Sequence, residues 1–281
     1  MILRFCGVRG SVPASGAEFV RVGGHTSCVA VTPDGASAPS LLLDAGTGTR
    51  NVTLALAGQP FRGTILLTHL HWDHLQGLPF FGAGDRDDAR VRLVLPDQGT
   101  TAEASLREVM SPPYFPIGPE GLRGEWTFDT IDEGAARIEG LEVLSREIPH
   151  KGGRTFGYRV TGPTGTFAYL PDHLPAASGP ARAAAVELAR DVDLLIHGGQ
   201  FLDREAAIAT SYGHATIDAA IALAVDAGAQ RLVLSHHAPA RSDEALEAIA
   251  AQLLSAPLPV SLAVEGEEWK ICASRSEKIS G

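Results

Sequence analysis

The stretch Thr64-Ile65-Leu66-Leu67-Thr68-His69-Leu70-His71-Trp72-Asp73-His74-Leu75 restricts the possible folds more than any other part of the chain. Its first five residues are apolar or β-branched, the pattern of a short strand buried on both faces, and they deliver the chain straight to a loop. That loop carries three histidines and an aspartate within six residues, His69 to His74. Along an extended exit alternate side chains share a direction, so His69 and His71 can converge on one ion. Asp73 and His74 fall where the chain turns toward a new element, within reach of a second ion. Neutral imidazoles and a carboxylate suit zinc, manganese or iron, and two such ions roughly 3.5–4 Å apart clamp an attacking and a leaving oxygen. A lone histidine at a strand end is ordinarily a polar cap. A cluster of four beside a buried strand is costly without a partner that satisfies them all.

The run HLHWDH after an apolar strand, followed by LQGLPFF, resembles the signature of the metallo-β-lactamase-fold hydrolases. The wider stretch, from about Val8 to about Asp243, is most similar to their phosphodiesterase branch, which includes phosphoribosyl cyclic phosphodiesterases and ribonuclease Z. The resemblance implies an α/β chain folded as an αββα four-layer sandwich. Two rough halves of the chain, each a set of strands followed by a helix or two, accommodate that architecture. By resemblance His150 is the third histidine on the first ion with His69 and His71. Asp172 matches the bridging aspartate, and a carboxylate at a strand exit has the two oxygens and the charge for that task. His236 joins Asp73 and His74 on the second ion. His214 resembles the histidine that such phosphodiesterases aim at the substrate phosphate or leaving oxygen. The implied cofactors are two divalent metal ions, zinc first, with manganese or iron also compatible.

Composition bounds the rest. A chain of 281 residues, 44% apolar and 20% charged, can build a sizeable core without cross-links, and no linker or repeat divides it, so residues 1–281 read as a single hydrolase domain. Three cysteines, Cys6, Cys28 and Cys272, in no paired spacing point to a reducing compartment. With no long apolar run and no leader pattern at MILRFCGVRGS, a cytoplasmic protein without membrane partners is expected. Acidic residues outnumber basic ones, 33 to 23, for a formal charge of −10, which argues against broad nucleic-acid binding.

Several residues carry two readings. Lys151, Arg154 and Arg241 lie beside the cluster in sequence and would suit an anionic substrate, or they form solvated surface pairs. Asp44 either supports the metal loop, as the resemblance implies, or caps its own turn. His25 either donates to the site or makes a local loop contact, His173 supports rather than ligates, and His237 turns away from the metal. After His197 relatives often place an aspartate where this chain has Gly198. Residues 111–121, with four prolines, form a stiff flap whose Tyr114 and Phe115 either cover a ligand or close the core edge.

The expected activity is hydrolysis of a small phosphodiester, of cyclic nucleotide or cyclic ribose phosphate type, by a metal-bridged hydroxide. Asp73 orients the water, and His214, if protonated, donates to the departing alkoxide. Rivals are hydrolysis of a lactone, thioester or other carbonyl ester on the same metals, RNA processing, a redox di-iron centre, and a structural zinc site in a non-enzyme. Leu70 in the motif and the lack of a flavin domain speak against redox, and the surplus of His/Asp ligands against a closed structural site. A homodimer is compatible with exposed edges and the proline flap.

Overall fold

The computed structural model describes residues 1–273 and 276–280. Two sheets face each other. The first has eight strands in the order Glu277–Ser280, Glu268–Lys270, Ile2–Gly7, Cys28–Thr32, Leu41–Leu43, Arg62–Leu66, Arg90–Pro96 and Glu125–Ile131. The second has seven, in the order Val260–Leu262, Leu232–Ser235, Leu194–Gly198, Gly165–Leu170, Phe156–Gly162, Leu141–Glu147 and Gly134–Ile138.

Alternation along the first sheet explains the layering. Leu3, Phe5, Val29, Val31, Leu43 and Leu66 pack between the sheets with Tyr158, Val160, Phe167 and Ile196 of the second sheet. Their neighbours Ala30, Leu42, Ile65, Leu67 and Leu93 face the other way, onto Val52 and Leu56 beside the helix Thr49–Ala55 and onto Leu106 of the helix Ala102–Arg107. Such strands are buried on both faces and therefore read as unbroken apolar runs. Helices Gly179–Ala189, Ile217–Ala227 and Asp243–Leu253 cover the second sheet. The result is helix, sheet, sheet, helix, as the resemblance implies. No helix among the described residues is long and apolar enough to cross a membrane.

The strands that end at the histidine-rich loops run parallel. Arg62–Leu66 lies between Leu41–Leu43 and Arg90–Pro96, and Leu194–Gly198 lies between Gly165–Leu170 and Leu232–Ser235. Ligand sites in open α/β sheets gather outside the carboxyl ends of such strands. The two sheets are joined at that end: the Phe156 N–H donates to the Thr68 carbonyl (2.9 Å) and the Tyr158 hydroxyl to the Leu67 carbonyl (2.6 Å).

The strands Gly134–Ile138, Glu268–Lys270 and Glu277–Ser280 and the helix Ala206–Tyr212 carry no clear signal in the sequence. The strands lie at or next to sheet edges and carry few apolar residues, so no alternation marks them. In the proline-rich segment, Phe115 packs edge-on against Phe80 (centroids 5.8 Å apart), whereas Tyr114 points to solvent.

Arg9 fastens the loops around the site. It is fully buried and donates to the carbonyls of Gly23 (2.7 Å), Arg241 (2.7 Å) and Ala238 (3.3 Å), with buried Asp243 3.6 Å from its guanidinium. Arg9→Met leaves the Asp243 carboxylate buried beside an apolar chain, and denaturant unfolding is expected to show a loss of about 3–5 kcal/mol. A loss within 0.5 kcal/mol, the range of neutral surface changes, would contradict this role.

Candidate metal centre

His69 and His71 leave the strand Arg62–Leu66, and the short helix Trp72–Leu75 then places Asp73 and His74 inward. His150 arrives from the loop before Phe156, Asp172 from the end of Gly165–Leu170, and His236 from the end of Leu232–Ser235. His69, His71 and His150 present nitrogens within 4.8 Å of one another, as do the ligand atoms of Asp73, His74 and His236. Asp172 joins the groups: its ligand oxygen falls in one such set with His69 and His74 and in another with His150 and His214.

The donor atoms crowd together, and in each close pair of nitrogens at most one can carry the proton. His74 Nε2 and His236 Nε2 are 3.3 Å apart, and His150 Nε2 is 3.3 Å from His71 Nδ1. Asp172 Oδ2 lies 2.8 Å from His74 Nε2, yet the pair is not aligned as a hydrogen bond, so that oxygen and His69 Nε2 are buried without a partner. Buried polar atoms left in this state cost about 1–3 kcal/mol each. Cations between the two groups remove that cost, and imidazole nitrogen with carboxylate oxygen is a donor set for divalent transition metals. The residues fit the implied metals.

Tautomers are fixed from behind. His74 Nδ1 lies 2.8 Å from Asp44 Oδ2, and His150 Nδ1 lies 2.8 Å from the Gly213 carbonyl, so each ring turns its Nε2 lone pair to the centre. Asp44 also accepts from the Thr68 N–H (2.7 Å), the Thr68 hydroxyl (2.9 Å) and the Tyr169 hydroxyl (2.9 Å). It therefore supports the metal loop. Burial opposes charge on His74, but Asp73, Asp44 and Asp172 together push its pKa well up. Burial likewise opposes ionisation of Asp172, and His236 and His74 override it and hold the carboxylate well below its usual range.

All eight residues expected at the centre come together: His69, His71, Asp73, His74, His150, Asp172, His214 and His236. His214 Nδ1 is 3.2 Å from Asp172 Oδ1, at the wall of a cleft of about 580 Å³. Burial is the largest influence on the ring and pulls its pKa down to about 4. Two substrate-binding expectations are corrected. Arg154 is committed to Glu147 and Asp132 (2.8 and 2.7 Å) and to the Asp97 carbonyl, and Arg241 to Glu205 (2.9 Å) and the Gln200 carbonyl. Neither is among the residues that line the cleft. Lys151 stays at the rim, with its ammonium donating to the Ser211 carbonyl (2.9 Å).

The remaining histidines lie apart from the donor groups. His25 pairs with Glu265 (2.9 Å) as a loop contact, His173 with His197 (3.1 Å), and His237 with the Ala263 carbonyl (2.9 Å). Gly198 has no room for the aspartate of relatives, since a Cβ there would stand 2.3 Å from the Pro171 carbonyl oxygen. Sequence reasoning missed Ser11, whose N–H donates to Asp73 Oδ2 (2.6 Å), and Gln200, which donates to the Ser11 hydroxyl (3.2 Å). It also missed Gly10, where a Cβ would stand 2.3 Å from the His236 ring. The Arg9-Gly10-Ser11 turn was the available signal, but a turn does not say what it faces.

Two donor groups joined by one carboxylate, at the strand ends of an αββα sandwich, define a metal-dependent hydrolase. Residues 40–237 match the family described as the beta-lactamase superfamily domain, and the chain belongs to that superfamily. It is 31% identical over 267 residues to a ribonuclease Z of Salinibacter ruber, spanning 75% of this chain and 79% of that one. A ribonuclease Z of Geobacillus kaustophilus is 28% identical over 317 residues, covering 96% of this chain and 99% of its own. The crystal structure of the metallo-beta-lactamase fold protein YhfI from Bacillus subtilis superposes with a TM-score of 0.73 at 16% identity, covering 96% and 99% of the two chains.

Asp44→Asn puts an amide donor where His74 Nδ1 must donate and so favours the wrong tautomer. Competition with a chromogenic chelator is expected to show metal affinity lowered about 10–100-fold in a folded protein. Affinity equal to wild type would mean that Asp44 does not set the His74 tautomer.

Proposed function

We propose that this chain is a dinuclear phosphodiesterase whose imidazole and carboxylate donors suit zinc, acting on a small phosphodiester. His69, His71 and His150 would hold one ion and Asp73, His74 and His236 the other, with Asp172 within reach of both groups. The observation that carries this reading is the position of Asp172, whose oxygens lie 2.8 Å from His74, 3.3 Å from His236 and 3.2 Å from His214. Such ions supply Lewis acidity and acidify a bound water toward neutrality.

The protein's own residues set the geometry. Asp73, held by the Ser11 N–H, orients the attacking water with its carboxylate. His214, beside Phe201 (centroids 5.6 Å apart), presents a ring N–H to a phosphoryl or leaving oxygen. Phe201 and Tyr212 wall the cleft and limit access of bulk water. A net charge of −10 favours a small substrate over RNA. The full-length likeness to ribonuclease Z favours RNA ends as a second reading. Pairing of Arg154 and Arg241 removes one reason to prefer phosphorus over a carbonyl carbon, so a thioester or lactone is the comparison substrate.

Asp172→Ala is expected to abolish metal loading and turnover of bis-p-nitrophenyl phosphate together. His214→Ala is expected to keep its metal and lose about 10²–10⁴-fold in kcat. An unchanged rate would remove His214 from the mechanism, and faster turnover of a thioester than of the phosphodiester by wild type would overturn the substrate class.

A further inference from the structure

The segment His71-Trp72-Asp73 serves two hollows: His71 and Asp73 line the metal cleft, and Trp72 lines a second groove of about 570 Å³ together with Leu75, Phe80, Leu106, Met110 and Tyr114. Trp72 stands in sequence between the ligands His71 and Asp73, at the first position of the helix Trp72–Leu75. Leu75, one turn on, is buried, whereas Trp72 is 72% exposed, Phe80 71% and Tyr114 81%. Three large rings exposed around one groove exceed the scatter of single apolar residues on an ordinary surface. Phe115 buttresses Phe80 edge-on, and the flap that carries Tyr114 has prolines at 112, 113, 116 and 119. The rings therefore stand on stiff supports.

We propose that this groove binds the planar ring of a nucleobase-bearing phosphodiester, stacked on Trp72 and flanked by Tyr114, while the phosphate lies at the metal centre. The proposal rests on the phosphodiesterase reading and names its substrate class. Charge selects the occupant. Among the described residues Glu108 is the one charged residue lining the groove, so an anionic group is repelled and a neutral ring is not. Arg154 and Arg241 lie outside the lining of the metal cleft and are paired with carboxylates, and the Lys151 ammonium at its rim donates to a backbone carbonyl. Affinity beyond the phosphate must come from apolar surface, and the exposed apolar surface next in sequence to the ligands is Trp72. A second copy of the chain is a poorer occupant because each would bring a net charge of −10.

Two esters with the same leaving group test this: thymidine 5′-monophosphate p-nitrophenyl ester and methyl p-nitrophenyl phosphate. In Trp72→Ala the ratio of kcat/KM for the thymidine ester to that for the methyl ester is expected to fall about tenfold, mainly through KM, and Tyr114→Ala to lower it less. An unchanged ratio in both variants overturns the proposal. If wild type cleaves neither ester, the phosphodiesterase reading fails, and titration with thymidine still decides the groove. Quenching of tryptophan emission that is absent in Trp72→Phe supports stacking, and no quenching overturns it. A dimer in sedimentation that Trp72→Ala dissociates, with the ratio unchanged, would assign the groove to a second copy instead.

Discussion

Asp44 is the interaction on which the rest of the site depends. Its carboxylate is fully buried at the end of Leu41–Leu43, where an unpaired charge would cost several kcal/mol. It is stabilised by Thr68 from the strand exit, His74 from the short helix and Tyr169 from the opposite sheet. One side chain thus fixes the chain's path out of the strand, the tautomer of a ligand and the spacing of the two sheets. Positions this tightly coupled leave the donor atoms little freedom to relax, and such preorganisation is what a hydrolytic metal pair requires.

The same economy governs the loops. Arg9 ties the loop with Gly23 to the one after His237 through backbone carbonyls, and this holds Gly10 against the His236 ring. His236 itself has a positive φ of 55°, a backbone state that side-chain-bearing residues rarely adopt. Strain of this kind persists where surrounding contacts over-determine the position, and here the contacts are the buried Arg9 and the Asp73 carboxylate 3.1 Å from His236.

How much of this was legible in the sequence follows from where each signal resides. Strands buried on both faces, such as Arg62–Leu66 and Gly165–Leu170, announce themselves as apolar runs. Edge strands such as Gly134–Ile138 and Glu277–Ser280 make few apolar contacts and leave no such trace. The four candidate ligands from His69 to His74 are local and could be read from residue chemistry, whereas His150, Asp172 and His236 come from distant loops and were reached through resemblance. Of the two readings open for Arg154 and Arg241 the structure shows the paired one, because nearness in sequence does not reveal which carboxylate a guanidinium will meet. Ser11 contributes through its backbone N–H, which every residue type but proline has, so its identity carried no signal.

The proposed centre would hold two ions that share Asp172. Elemental analysis of the protein dialysed against a slight excess of zinc, with Asp172→Asn alongside, tests this most directly. Two ions per wild-type chain and a loss in the variant are predicted. One ion per chain in wild type, retained without Asp172, would contradict the bridged pair.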